Sequence, residues 1–211
     1  DKEGLFILEG YNLFNEIKNS NLIVDILENK EDTKYTFCNE GEIKKISDSK
    51  NPQKIIVICK KPLVKKIGKK VLYLDFLQDP GNVGTLIRSA VAFGFTDVVI
   101  EGVDPFNPKV VRSSLGSIFK INIIKINKDI DKKNIFKNKM VLGTHLSKDS
   151  INYNEFNFPE ELILIIGNES NGINENIFKY VDHNIIIPIE FESLNAAVAG
   201  SIIMNKIKEN T

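Results

Sequence analysis

From Val71 onward one alternation governs the chain. Six runs are apolar at nearly every position: VLYLDFL (71–77), DVVIEG (97–102), INIIKI (121–126), MVLGT (140–144), LILIIG (162–167) and NIIIPI (184–189). Segments of helical periodicity separate most of them. A strand that is apolar on both faces must be covered on both faces, so the pattern predicts an α/β fold, a largely parallel sheet with helices above and below. Before Val71 the texture changes. LFILEG (5–10), a helical stretch from Asn12, LIVDILEN, KYTFCN and KIIVICK follow in quick succession and predict a small α+β unit. The expected division is 1–68 and 69–211. With 211 residues, 42% of them hydrophobic, the chain can bury one domain core of about 150 residues and a smaller one.

Charge narrows the partners. The formal net charge is zero, so an anionic partner must be met by a local patch. Residues 44–70 carry ten lysines against the single Asp48. This stripe reads either as a solvated face or as phosphate contact, which lysine supplies without sequence information. Lys65, Lys66, Lys69 and Lys70 adjoin the first strand of the parallel sheet, and a polyanion lying along them would be led towards the loop after that strand. Cys38 and Cys59 form no CxxC pair and have no histidine cluster nearby. They read as free thiols in a reducing, cytoplasmic setting, with no metal expected. No apolar run approaches the roughly 20 residues of a membrane helix, and no membrane partner is expected.

Three loops at the ends of strands carry the chemistry. The first, DPGNVGTLIRSA (79–90), follows strand 71–77 and becomes a helix, with Leu86, Ile87, Ala90, Val91 and Phe93 on its apolar face and a stop at Gly94. It is neither GxGxxG nor GxxxxGK[ST], so no dinucleotide fingerprint or P-loop is present. Taken alone, it could be a tight turn followed by an exposed arginine. Open α/β sheets, however, bind ligands at this end of their strands. The second loop is IIGNESNGI (165–173) and the third IPIEFESLNAAVAGSI (187–202). The small residues Ala196, Ala197, Ala199, Gly200 and Ser201 make the last helix thin at its start. Separately, Glu169 reads as a turn residue and Ser193 as a helix N-cap.

Together, in this order and at these distances, the three loops resemble the SpoU (TrmH-type) RNA 2′-O-ribose methyltransferases of the SPOUT superfamily, from about Val71 to Lys208. GLFILEG near the start resembles the L30e-like, ribosomal-protein-like substrate-binding domain that often precedes the catalytic one, and the resemblance leads to the expectation of an N-terminally truncated copy. The resemblance implies a C-terminal trefoil knot, S-adenosylmethionine bound in the knot, ribosomal or transfer RNA as substrate, and a homodimer with its active site at the interface. Carried over position by position, it implies catalytic roles for Asn82, Arg88, Glu169, Ser193 and Asn195. Cofactor contacts would come from Thr144, Gly167, Ile187 and Leu194, and bulk at Gly167 would fill the cofactor's space without disturbing the fold.

Methyl transfer to a 2′-hydroxyl requires alignment and loss of a proton from a poor nucleophile. His145 and His183 are the only histidines, and each reads as structural. Arg88 suits a phosphate clamp or support for a developing alkoxide better than a base, because guanidinium holds its proton. Arg112, the other arginine, reads as a surface charge or an RNA contact. Both stand in a chain that otherwise uses lysine, which cannot copy a planar bidentate fork. A catalytically silent RNA-binding module and a base-nitrogen methyltransferase of the same superfamily are the alternatives.

Overall fold

The computed structural model describes residues 4–126, 132–145, 147, 149–190 and 192–210; Phe191 of the third motif lies outside them. The first part of the chain forms β1 (Leu5–Glu9), α1 (Tyr11–Ile17), β2 (Ile23–Glu28), β3 (Thr36–Phe37), α2 (Glu40–Ile46) and β4 (Ile55–Lys60). Their sheet runs β1-β4-β2-β3, antiparallel except for the β2–β3 pair. Helix α2 takes up the first two lysines of the stripe. Asn39 and Glu42 form a reciprocal capping box at its start, and Lys44 and Lys45 lie in its last turn, where they complement the helix dipole.

The second part contains β5 (Lys70–Asp75), α3 (Pro80–Ala92), β6 (Asp97–Glu101), α4 (Pro108–Ser113), β7 (Asn122–Lys125), α5 (Lys132–Phe136), β8 (Met140–Gly143), β9 (Ile151–Asn152), β10 (Leu162–Ile166), α6 (Glu175–Phe178), β11 (His183–Ile186) and α7 (Ala196–Glu209). The sheet order is β7-β6-β5-β10-β8-β11-β9, and every pair is parallel. Each of the six apolar runs forms a strand. In the central pair, alternate residues feed two cores: Leu72, Leu74, Leu164 and Ile166 face α3 and α7, while Val71, Tyr73, Ile163 and Ile165 face α5 and α6.

The two sheets share the first of these cores. Phe6 of β1 packs on Phe106 and Phe119, with ring centroids 4.9 and 5.9 Å away, and Lys120 pairs with Glu16 of α1 at 2.9 Å. After β4 the chain runs along the amino-terminal ends of the parallel strands. The Lys65 amide donates to Asn122 at the start of β7, the Gly68 amide to Asp97 at the start of β6, and the Lys69 ammonium to Glu160 just before β10. The lysines therefore occupy the end of the sheet opposite the three motif loops.

Candidate active site

β5 and β10 are neighbours, but the chain leaves their carboxyl ends towards opposite faces, into α3 and α6. A crevice opens where such connections diverge. On the β5 side, Asp79 caps α3 by accepting from the Gly81 amide at 3.0 Å, with Pro80 in the first turn. Lys109 donates to the same carboxylate at 2.8 Å. Asn82 is thereby set on the first turn of α3, facing the loop after β10.

That loop closes on itself through paired backbone hydrogen bonds of 2.9 Å between Asn168 and Gly172. The Asn168 side chain holds it further, accepting from the Ser170 and Asn171 amides and donating to the Phe76 carbonyl at 2.7 Å. At the far end, the Asn174 amide donates to Asp75 at 2.6 Å. The loop is thus tied twice to the end of β5, and Glu169 is carried to Asn82.

The three motifs meet in one hydrogen-bonded chain. Glu169 accepts from the Asn82 side chain at 3.0 Å and from the Gln78 amide at 3.2 Å. Asn195 donates from its side chain to Asn82 at 3.0 Å and accepts from the Ala197 and Val198 amides. Asn195, not Ser193, is therefore the N-cap of α7. Beside this chain lies a cavity of about 350 Å³, within the range of small-molecule sites. Thr144, Gly167, Ile187 and Leu194 all line it, as do Glu169, Ser193 and Asn195. The rest of its wall is mainly apolar, with Ile166, Ile189 and Ala199 among it, and Glu192 adds a second carboxylate.

Burial pushes the Glu169 carboxyl up, but hydrogen bonds from Asn82 and nearby amides outweigh it and hold the group below its ordinary range. It stays ionised near neutrality, with both oxygens engaged. Asp75 behaves in the opposite way. Burial raises its pKa, the Asn174 amide lowers it, Glu101 raises it and Lys132 lowers it, for a net upward shift. One of its oxygens is buried without a partner.

Arg88 stands apart. It is exposed, and its guanidinium makes no hydrogen bond or ion pair with another described residue. It lies six positions beyond Asn82 on α3, about 9 Å along the axis and about 120° around it. Arg112 is likewise exposed, on α4. Lys65, Lys66, Lys69 and Lys70 are separated from the cavity by the length of β5, roughly 17 Å. His145 packs edge-on against Phe178, and His183 lies tilted against Phe156. Cys59 is buried in β4, which pushes its thiol up to about 12.

The glycines serve the protein's own packing. A β-carbon at Gly167 would lie 2.5 Å from the Gly172 carbonyl carbon and 2.6 Å from the Ile173 nitrogen, so a side chain there breaks the loop before it meets a ligand. Gly84 lies against Ser113 and the Val110 carbonyl of α4, and Gly200 against Leu86 of α3. Asn168 and Asp75, which position the second loop, were not singled out from the sequence. Their signals were an Asn-x-x-Asn-Gly turn and a carboxylate inside an apolar run.

The SpoU rRNA Methylase family model matches residues 69–205. A 23S rRNA (guanosine(2553)-2′-O)-methyltransferase, RlmP of Bacillus subtilis, is 33% identical over 98% of this chain and 90% of that protein. Among solved structures, a Porphyromonas gingivalis protein described as of the TrmH family superposes with a TM-score of 0.85 at 26% identity, covering 100% of this chain and 92% of that one. An AdoMet-bound rRNA methyltransferase from Sinorhizobium meliloti gives 0.81 at 25% identity, over 99% and 88%. The chain belongs to the SpoU rRNA Methylase family.

Proposed function

We propose that this protein transfers the methyl group of S-adenosylmethionine to a ribose 2′-hydroxyl of ribosomal or transfer RNA. The observation that carries this reading is the hydrogen-bonded chain Glu169–Asn82–Asn195, which joins all three motif loops beside an apolar cavity. Ile166, Ile187 and Leu194 suit an adenine, with Thr144 and Gly167 completing the holding set. The wall's charged groups among the described residues are Glu169 and Glu192, a donor set that suits a ligand bearing positive charge. The cofactor supplies an activated methyl group as a sulfonium. Asn82, engaged on both sides, holds Glu169 and Asn195 in the cavity wall. Glu169 orders Asn82, since its oxygens are engaged. Arg88 holds an RNA phosphate or supports the developing alkoxide, and Ser193 helps to position the ribose.

Family membership supports several further features. The segment after β10 closes as a trefoil knot, and residues 1–68 form an L30e-like RNA-binding domain joined to a methyltransferase domain at 69–211. A homodimer covers Ile189, Leu194 and Val198, each more than a third exposed near the cavity, and gives Arg88 a partner site. Arg112 and the lysines at 65, 66, 69 and 70 contact RNA away from the reacting atoms. The setting is cytoplasmic; no helix among the described residues is long and apolar enough to cross a membrane.

The test is to incubate the protein with labelled cofactor and RNA from cells lacking it, then digest the RNA. Label in an alkali-resistant linkage at one nucleotide is expected. A methyl group on a base nitrogen, or RNA binding without transfer, would refute the assignment.

A further inference from the structure

Phe76 combines two features that each cost stability. Its φ is +52°, in the left-handed region where a β-carbon is strained. The residue is 46% exposed, whereas Leu74, Asp75 and Leu77 around it are 2% exposed or less. Its backbone is held on both sides. Its amide donates to the Glu101 carbonyl at 3.1 Å, and its carbonyl accepts from Asn168 at 2.7 Å. Beneath it Gly102, at φ +100°, has no side chain, and a β-carbon there would lie 3.2 Å from the ring. The ring is held over a glycine at the end of β5 and offered to solvent.

It stands at a second cavity of about 490 Å³ that shares Asn168 and Gly172 with the first. Gln78, Val103, Asn171 and Asn174 also line this cavity. The side-chain amides of Gln78 and Asn171 are exposed and make no hydrogen bond to a described residue. An aromatic face ringed by uncommitted amides is what an unpaired nucleobase requires: a surface to stack on, with donors and acceptors for its edge.

We propose that Phe76 is the stacking platform for an unpaired base of the RNA substrate, within one nucleotide of the methylated ribose, with Gln78 and Asn171 meeting the edge of that base. This rests on the RNA methyltransferase reading. The strain at residue 76 is then the cost of presenting the ring beside the reacting atoms.

The chain has no tryptophan, so Phe76→Trp installs a single fluorescent reporter on the intact protein. A single-stranded oligoribonucleotide should quench it, and the fully paired duplex of the same sequence should not. With RNA from cells lacking the enzyme, Phe76→Leu should raise KM for RNA about tenfold, leaving kcat at saturation and cofactor affinity within about threefold of wild type. Phe76→Gly relieves the backbone and removes the ring. It should melt within a few degrees of wild type yet share the raised KM, which separates stacking from folding. An unchanged KM in both variants, or equal quenching by duplex and single strand, would overturn the platform. If the wild type methylates no RNA, the underlying reading fails instead, and the fluorescence titration still reports whether a base stacks at residue 76.

Discussion

Asn82 donates to one neighbour and accepts from the other, a task its neutral amide performs from two separate atoms, nitrogen and oxygen. Asn82→Asp would set a carboxylate against Glu169, two like charges at hydrogen-bond distance. We expect a lower melting temperature and at least about a hundredfold loss of turnover, since an aligned site is sensitive to small displacements. The exchange Asn82→Asp with Glu169→Gln restores every donor–acceptor pairing, because the new amide donates to the new carboxylate. It should recover most of the lost stability, a coupling on the order of 0.5–3 kcal/mol between contacting residues. A double variant that melts no higher than Asn82→Asp alone would count against the hydrogen-bonded chain. Asp75 offers a pH test. Its folded pKa is raised, so its contribution to stability is full below the unfolded value of about 3.9. That contribution is lost as pH rises through the folded pKa. Asp75→Asn cannot ionise but still accepts from Asn174. The difference in melting temperature, variant minus wild type, should be more positive at about pH 7 than at about pH 4; a pH-independent difference would show that burial of this carboxyl is not what sets it.

At the scale of elements, α3 is held between α4 and α7 at its glycine contacts, with a hydrogen bond of 2.7 Å between Ser89 and Ser201 across the second crossing. Alanine normally improves a helix by about 1 kcal/mol over glycine, yet both Gly84→Ala and Gly200→Ala should destabilise. Gly84→Ala should melt lower, because its β-carbon would meet the Val110 carbonyl at 2.7 Å, whereas at Gly200 the 2.5 Å neighbour is the flexible tip of Leu86. The reverse order of melting temperatures would contradict this packing. These glycines also show where sequence reading stops. Gly84 is visibly a glycine inside a helical pattern, but which backbone approaches it depends on a crossing between elements far apart in the chain. The strands were legible because runs apolar on both faces have few other fates. Their order was not, since such runs carry no mark of their neighbours, and β9, two residues long, is too short to show a period. Helix α2 was legible in principle from Asn39 and Glu42 and was obscured by the lysines around it. The motif loops were recognisable as a set by resemblance. The hydrogen bonds that join them, and the roles of Asn168 and Asp75, emerged only when β10 was placed beside β5.

Across the whole molecule, the cavity and the lysines lie at opposite ends of the parallel sheet. RNA that touches Lys65, Lys66, Lys69 and Lys70 cannot be led directly from them into the loop after β5, because the length of that strand, roughly 17 Å, intervenes. If these lysines bind RNA, they hold a segment remote from the methylated ribose, and their effect must depend on RNA length. Lys69 already pairs with Glu160, an exposed pair of small energetic value, so it can exchange that partner for a phosphate. Replacing all four with glutamine should therefore raise KM for intact RNA and flatten its salt dependence by about 0.7–0.9 in logarithmic slope for each phosphate that the variant no longer neutralises. Turnover at saturating RNA should not change, because no atom of the hydrogen-bonded chain is touched. A short oligonucleotide that fills only the cavity end should bind the parent and the variant alike. Salt titrations with RNAs of increasing length decide the matter: equal weakening of short and long RNA would mean that the stripe acts at the cavity after all, and no weakening at any length would leave it a solvated surface.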